Sequence, residues 1–328
     1  MDSNYRYYSK PQQPETHDVI FKRSAAIIEE IRDVLASEEE DLVNVYADFT
    51  VESMAHLIFG SNMQEKAGMG LDQTIKLCHR VFAGEDVDPE DCDPRDDWYQ
   101  EQIELLVKHG IEEPDQQHVI RSRREVIQHA KALKHITDKA LLEDEQLSEQ
   151  LILDTHRILC ENIAIEGDEE GHYAGTYRDV NVMAGGTAFC HHNTIRYHMD
   201  IFIDDFNKDI ENRENTKHLD PFYLAADVCQ DFVTIHPFRD GNGRMCRLLA
   251  NAFLIKYAGI VISIGEHDED RKQYLDIAIM AGGPEREEEA RGTLARFFLE
   301  KADRTLRKLK EKLQEARRGL GSVSHTEK

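Results

Sequence analysis

Residues Ile235 to Arg247 read I-H-P-F-R-D-G-N-G-R-M-C-R, bringing a histidine, a carboxylate, glycines, an asparagine and several arginines into one short segment. Its flanks set its geometry. Upstream, Asp220-Pro221 has the form of an N-cap followed by proline at the first helical position. From there Phe222, Ala226, Cys229 and Phe232-Val233 recur at helical spacing. Downstream, Met245, Leu248, Leu249, Ala252 and Phe253 do the same. The expectation is a helix–loop–helix, with His236 near the loop entrance and Asn242-Gly243-Arg244 opening the second helix.

That geometry suits a polyphosphate. Gly241 and Gly243 let backbone N–H groups approach an anion closely, and a helix N-terminus adds a favourable dipole. Arg244 and Arg247 are three residues apart, so they share one side of the helix and can fork onto phosphate oxygens. Asp240 is the candidate ligand for Mg²⁺, which usually takes one or two carboxylates plus phosphates and water. His236 would stand beside the phosphates as a general base, near its working pH without much tuning. The plainer alternative is that Asp-Gly-Asn-Gly between helices is only a turn.

The chain's 328 residues suffice for one large or two modest domains. A net charge of -24 argues against nucleic acid as a partner, which calls for a basic face. It does not exclude a polyphosphate ligand, because local arginines can outweigh a distant negative field. The six cysteines show no C-x-x-C pairing and read as reduced thiols of a soluble cytoplasmic or nuclear chain. Residues 1–16 are polar and no signal peptide is expected. The most apolar stretch, Leu248–Ile264, is interrupted by Asn251, Lys256 and Gly259, so it reads as a core helix and a turn, with no membrane span.

Helical periodicity starts near Val19, stops at the acidic run Glu38–Asp41 and resumes over Val43–Ile58. Gly60–Leu71, with glycines at 60, 68 and 70, reads as irregular. Helices are expected over Leu71–Phe82, Trp98–Val107, Arg121–Ile136, Ser148–Cys160, Thr194–Phe206, Arg271–Ala281 and Glu285–Gln314. The charged segment Gly84–Asp97 is a solvated loop whose acids lack EF-hand spacing. Tyr177–Phe189 departs from helix: Val180 and Val182 alternate with polar residues and Ala184-Gly185-Gly186-Thr187 supplies a turn, which predicts a short β-hairpin.

The string His236-Pro237-Phe238-x-Asp240-Gly241-Asn242-Gly243-Arg244-x-x-Arg247 resembles the complete signature of the Fic (Fido-domain) family, H-x-F-x-[DE]-G-N-[GK]-R-x-x-R. The resemblance implies an all-α fold: a helical core over 121–290 with a β-hairpin flap, preceded by an N-terminal helical region (19–120) and followed by a C-terminal helix (291–318). Residues 1–18 and 319–328 are expected to be disordered. It also implies a nucleotidyltransferase that moves AMP from ATP to a Ser, Thr or Tyr hydroxyl of a protein, self-modification included.

Residue by residue, the resemblance gives His236 the proton of the target hydroxyl and Asp240 the Mg²⁺. The anion hole falls to the amides of Gly241, Asn242 and Gly243, the phosphates to Arg244 and the γ-phosphate to Arg247. Gly175-x-Tyr177-Arg178 and the following Val182–Phe189 resemble the family flap, which clamps a target segment as an added strand, here along Gly185, Gly186, Thr187 and Ala188. Arg271-Lys272-Gln273-Tyr274-Leu275-x-x-Ala278 resembles the segment that closes over the adenosine, which makes Tyr274 a nucleotide-binding candidate. Many family members carry an inhibitory [ST]-x-x-x-E-[GN] motif whose glutamate pairs with the second arginine. Ser61 to Lys66 supplies Ser61 and Glu65 but has Lys66 at the last position. Asn162–Gly167 has Glu166-Gly167 but asparagine in place of Ser/Thr; Glu65 is the favoured candidate.

Two other functions stand beside AMP transfer. One is removal of AMP by hydrolysis at the same site; the other is a non-catalytic nucleotide-binding regulator, which loss of the histidine would have favoured. Phosphate transfer, as in the Doc branch, goes with lysine where this chain has Gly243. Neither the protein target nor the oligomeric state is written in the sequence.

Overall fold

The computed structural model describes residues 15–37, 39–168, 170–184, 187–280 and 287–323. Helices dominate it: α1 (His17–Ala36), α2 (Glu40–Gln64), α3 (Leu71–Phe82), α4 (Asp97–Lys108), α5 (Gln116–Leu141), α6 (Glu149–Cys160), α7 (Ile195–Thr216), α8 (Pro221–Ile235), α9 (Asn242–Ala258), α10 (Asp268–Met280) and α11 (Glu287–Val323). The all-α expectation holds. Residues 1–14 and 324–328 lie outside the described residues, whereas α11 runs past the boundary expected at 318.

The centre of the molecule is α9. Most of its residues are buried, and it packs on α8, α5 and α2. Its neighbour α8 is also mostly buried and lies against α11, which in turn covers α1. One continuous apolar cluster runs from Ile20 of α1 to Leu313 of α11. So the N-terminal helices and the signature helices bury their apolar faces in a common core, which brings the C-terminus of α2 onto the start of α9. No helix among the described residues is long and apolar enough to cross a membrane.

Three expectations are corrected. Gly60–Leu71 is not all irregular: α2 continues through Ser61 to Gln64. Gly60 is small for packing, since a Cβ there would meet the Ile264 carbonyl at 2.7 Å. The hairpin is shorter than Tyr177–Phe189. Met183–Ala184 (β1) pairs antiparallel with Thr187–Ala188 (β2), Met183 opposite Ala188. Gly185 and Gly186, two of the expected target-clamping residues, lie outside the described residues. Finally, not all six cysteines are thiols. Antiparallel packing of α8 on α9 brings the Cα atoms of Cys229 and Cys246 to 4.9 Å, within disulfide reach, and their sulfurs are bonded. Cys78, Cys92, Cys160 and Cys190 are free.

Candidate active site

The loop expected from the sequence forms as read. Asp220 caps α8 by accepting from the amides of Phe222 and Tyr223, with Pro221 at the first position. At the far end α8 stops at Ile235, and His236 takes the left-handed conformation with φ 52°. The loop is then stapled from inside. The Asn242 side chain accepts from the Phe238 amide at 3.0 Å and donates to the Phe238 carbonyl at 2.8 Å. Gly241 begins α9 at φ 79°, and a Cβ there would lie 3.1 Å from both Cys160 Sγ and His156 Nε2. Glycine is therefore required on conformational and steric grounds. The first amides of α9 have no intrahelical acceptor and carry the positive end of its dipole.

His156, on α6, had no part in the sequence reading, yet it supports this loop. Its ring is fully buried and stacks on Phe238 at 3.6 Å and 3°. Its Nδ1 accepts from the Gly175 amide at 2.9 Å, which leaves the proton on Nε2 to donate to the Asp240 carbonyl at 3.0 Å. Burial pushes its pKa down to about 4, so the ring is a neutral strut whose tautomer is set by its two partners.

Around this loop stand the charged groups. Asp240 and Arg244 pair at 2.8 Å, with the guanidinium buried and the carboxylate still 43% exposed. Burial raises the Asp240 pKa, but Arg244 and the Gly241 amide outweigh it and hold the carboxyl below its ordinary value. Arg244 Nε is buried without a hydrogen-bond partner among the described residues, so this cation still has donor capacity for an anion. Arg247, only 2% exposed, is held by α2: Nε donates to Ser61 Oγ at 2.7 Å, and Nη2 donates to the Ser61 carbonyl at 3.0 Å and to Glu65 Oε1 at 2.6 Å. A Cβ on Gly243 would lie 2.5 Å from that same Glu65 oxygen. Glu65 thus sits at the mouth of the glycine loop.

What puts Glu65 there is the ending of α2. Glu65 is the C-cap. The Lys66 amide donates to the Met63 carbonyl and the Ala67 amide to the Asn62 carbonyl, the paired bonds of a Schellman motif. Such a motif needs a left-handed residue after the cap, and Lys66 has φ 53°. This is the position where the family motif usually has glycine or asparagine, the residues that adopt that conformation most readily. The departure at Lys66 therefore changes the ease of the turn and leaves its geometry intact. The turn is also anchored from α5: His129 Nδ1 bonds Asn62 Oδ1 at 2.9 Å, and the Glu125 carboxylate accepts from the Gly68 amide at 2.8 Å.

His236 lies against the segment that follows β2. Phe189 stacks on its ring at 3.9 Å and 11°. Burial, reinforced by the Arg178 charge, pushes its pKa down to about 4 despite Glu65 and Asp240 nearby. The sequence reading, which left His236 near neutrality, is corrected on that point. The ring is neutral at physiological pH and can take a proton. The structure does not bring every candidate to the loop in the same way. Tyr274 is buried, its ring 5.9 Å from the Arg247 guanidinium and 6.3 Å from Phe297, and its hydroxyl 3.6 Å from Cys229 Sγ. Thr187 and Ala188 lie on β2. Glu166 lies outside the helices, next to the Ile165–Asp168 bridge, and makes no contact with Arg247.

Comparison with known proteins agrees with this geometry. Residues 146–254 match the model of the Fic/DOC family. The chain is 41% identical over 83 residues to a Fido domain-containing protein of Dictyostelium discoideum, 25% of this chain and 55% of that protein. It is 30% identical over 138 residues to protein adenylyltransferase fic-1 of Caenorhabditis elegans, 42% of this chain and 25% of that protein. It thus spans about half the length of the first and a quarter of the second. Among solved structures, a Fic-domain signalling protein from Bacteroides thetaiotaomicron superposes with a TM-score of 0.61 at 21% identity, covering 91% of this chain and 98% of that one. A fragment of C. elegans Fic-1 gives 0.58 at 18% identity, covering 92% and 73%. Those identities speak for the fold alone. With the signature loop, the helical fold and the domain match in agreement, residues 146–254 are identified as a Fic/DOC-type domain.

Proposed function

We propose that this chain is a protein adenylyltransferase that moves AMP from ATP to a Ser, Thr or Tyr hydroxyl of a protein, and that it is held in an autoinhibited state by Glu65. The observation that carries the reading is the Glu65–Arg247 contact at 2.6 Å at the mouth of a glycine loop that also presents His236. The target hydroxyl attacks the α-phosphorus of ATP. Its O–P bond forms as the bond from that phosphorus to the bridging oxygen breaks, and pyrophosphate leaves. His236 takes the hydroxyl proton, a role typically worth ~10²–10⁴-fold in rate. The amides of Gly241, Asn242 and Gly243 and the Arg244 guanidinium stabilise charge on the phosphates, and Arg247 is the γ-phosphate partner.

The residues present fit a nucleotide: a buried arginine with an unpartnered donor, a helix N-terminus and a half-exposed carboxylate share one loop. Mg²⁺ would be held by Asp240 with phosphate oxygens and water, and would neutralise phosphate charge. Among the described residues no group of three His, Cys, Asp or Glu gathers, so nucleotide and water would supply most of its ligands.

With Arg247 engaged by Glu65, ATP binds without its γ-phosphate partner and is poorly aligned for attack. Hydrolytic removal of AMP is the second reading. It is favoured by one observation: the Glu65 side chain is 39% exposed beside the loop and can orient a water. Mass spectrometry after incubation with ATP and Mg²⁺ tests the proposal. A gain of AMP on the chain or on an added protein supports it; a phosphate adduct, or none even after Glu65 is removed, contradicts it.

A further inference from the structure

Arg178 is 2% exposed and, among the described residues, has no carboxylate as a hydrogen-bond partner. Its guanidinium instead donates to four backbone carbonyls. Nε reaches His236 O at 2.8 Å, Nη1 reaches Val180 O at 2.8 Å, and Nη2 reaches Cys190 O at 2.7 Å and Ile235 O at 3.5 Å. Its own amide donates to the Pro237 carbonyl at 2.9 Å. Val180 and Cys190 flank the paired strands Met183–Ala184 and Thr187–Ala188 on either side; Ile235 and His236 are the last carbonyls of α8. These last carbonyls lack intrahelical donors and carry the negative end of the helix dipole, which a cation matches. Cys190 Sγ adds a contact to Ile235 O at 3.3 Å, and Phe189 lies over the His236 ring.

We propose that Arg178 is the positioning residue that locks His236 to both flanks of the paired strands, fixing the distance between the proton acceptor and the strand that presents the target hydroxyl. The proposal rests on His236 being that acceptor. A planar fork is needed, because one group must satisfy carbonyls from three directions; the single point donor of a lysine cannot. Desolvation keeps the Arg178 pKa below its ordinary value, and its charge in turn favours neutral His236. The other charged groups facing that ring are Glu65 and Asp240, which act in the opposite sense; the Cys190 thiol packs beside Arg178.

The test compares Arg178→Lys and Arg178→Met in the full chain carrying Glu65→Gly. Both variants are expected to lose about tenfold or more in kcat, as misplacement of a reacting group does. KM for ATP should stay within about threefold, since the loop at 240–247 is untouched. NMR titration of the His236 ring, assigned against His236→Ala, should show a higher pKa in Arg178→Met and an unmoved one in Arg178→Lys. Unchanged kcat in both variants, a rise in KM that accounts for the loss, or an unmoved pKa in Arg178→Met overturns the proposal. If Glu65→Gly transfers no AMP, the functional reading fails and the titration alone decides on Arg178. Should neither variant fold, hydrogen exchange of the unsubstituted protein decides. Equal opening free energies for the Arg178 and His236 amides support one locked unit; unequal values overturn it.

Discussion

Glu65 Oε1 lies 2.6 Å from Arg247 Nη2 although 182 residues separate them, and it is the end of α2 that closes the gap. The pair is asymmetric. Arg247 is almost wholly buried while Glu65 keeps 39% of its side chain exposed. Ser61 holds the guanidinium from the same helix through two neutral acceptors, so without Glu65 Arg247 keeps its position but lacks a counter-charge. That lets the carboxylate act as a removable block, with a nucleotide able to take its place as counter-charge.

In the Glu65→Gly background, where Arg247 is released, Arg247→Ala should weaken ATP more than ADP, because the γ-phosphate loses its expected partner. Isothermal titration with both nucleotides checks this. Equal losses would assign Arg247 to packing between α9 and α2.

His236→Ala should abolish AMP transfer and leave ATP affinity nearly unchanged, since the proposed role of the ring is toward the hydroxyl and not the phosphates. Label incorporation and nucleotide titration on the same sample separate the two effects. Transfer at the unsubstituted rate would remove His236 from the chemistry.

Lys66→Gly should tighten the block. A left-handed turn costs an ordinary L-residue roughly 1–2 kcal/mol, and glycine relieves it, less its greater freedom when unfolded. With about 1 kcal/mol gained for the docked turn, residual AMP transfer should fall by about fivefold. Basal self-modification rates of the two proteins measure it; a rise in rate would mean that the turn does not govern Glu65.

Stability should fall as pH drops below about 6.5. His156 and His236 have folded pKa values near 4, and His129, fully buried, lies well below its ordinary value. All three are depressed by burial, so the unfolded chain binds protons that the folded one refuses. Their contribution is present above the unfolded pKa and is lost as pH falls toward the folded values. Each ring removes about 1.4 kcal/mol per pH unit across that window. Denaturant melts at pH 7, 6 and 5 should show a steepening loss. In His156→Phe, which keeps the stack on Phe238 but drops both hydrogen bonds, the slope should be shallower and the protein less stable at pH 7, by about 1–3 kcal/mol for the stranded Gly175 amide.

The signature loop was legible because its geometry is local. Asp220-Pro221, the glycines at 241 and 243 and the Arg244–Arg247 spacing each act over only a few residues. Glu65 was legible only through the family motif, since nothing in α2 announces that its C-terminus meets α9. Gly60 misled for a physical reason: glycine lowers helix propensity, but here tertiary packing against Ile264 sets the choice. His156 and Arg178 were not legible as supports for the loop, because both act largely on backbone carbonyls and amides, which leave no residue pattern to match. The tuning of His236 was missed because it comes from burial under Phe189 and from Arg178, both remote from the loop in sequence.

In the proposed function Glu65 restrains an AMP transferase. Glu65→Gly tests it most directly, by mass spectrometry of the full chain incubated with ATP and Mg²⁺ beside the unsubstituted protein and Glu166→Gly. AMP incorporation should rise at least roughly tenfold in Glu65→Gly, which needs only about 1.4 kcal/mol of transition-state gain. Glu166→Gly should match the unsubstituted protein. Activation by Glu166→Gly instead, or no gain of AMP in any of the three, would contradict the account.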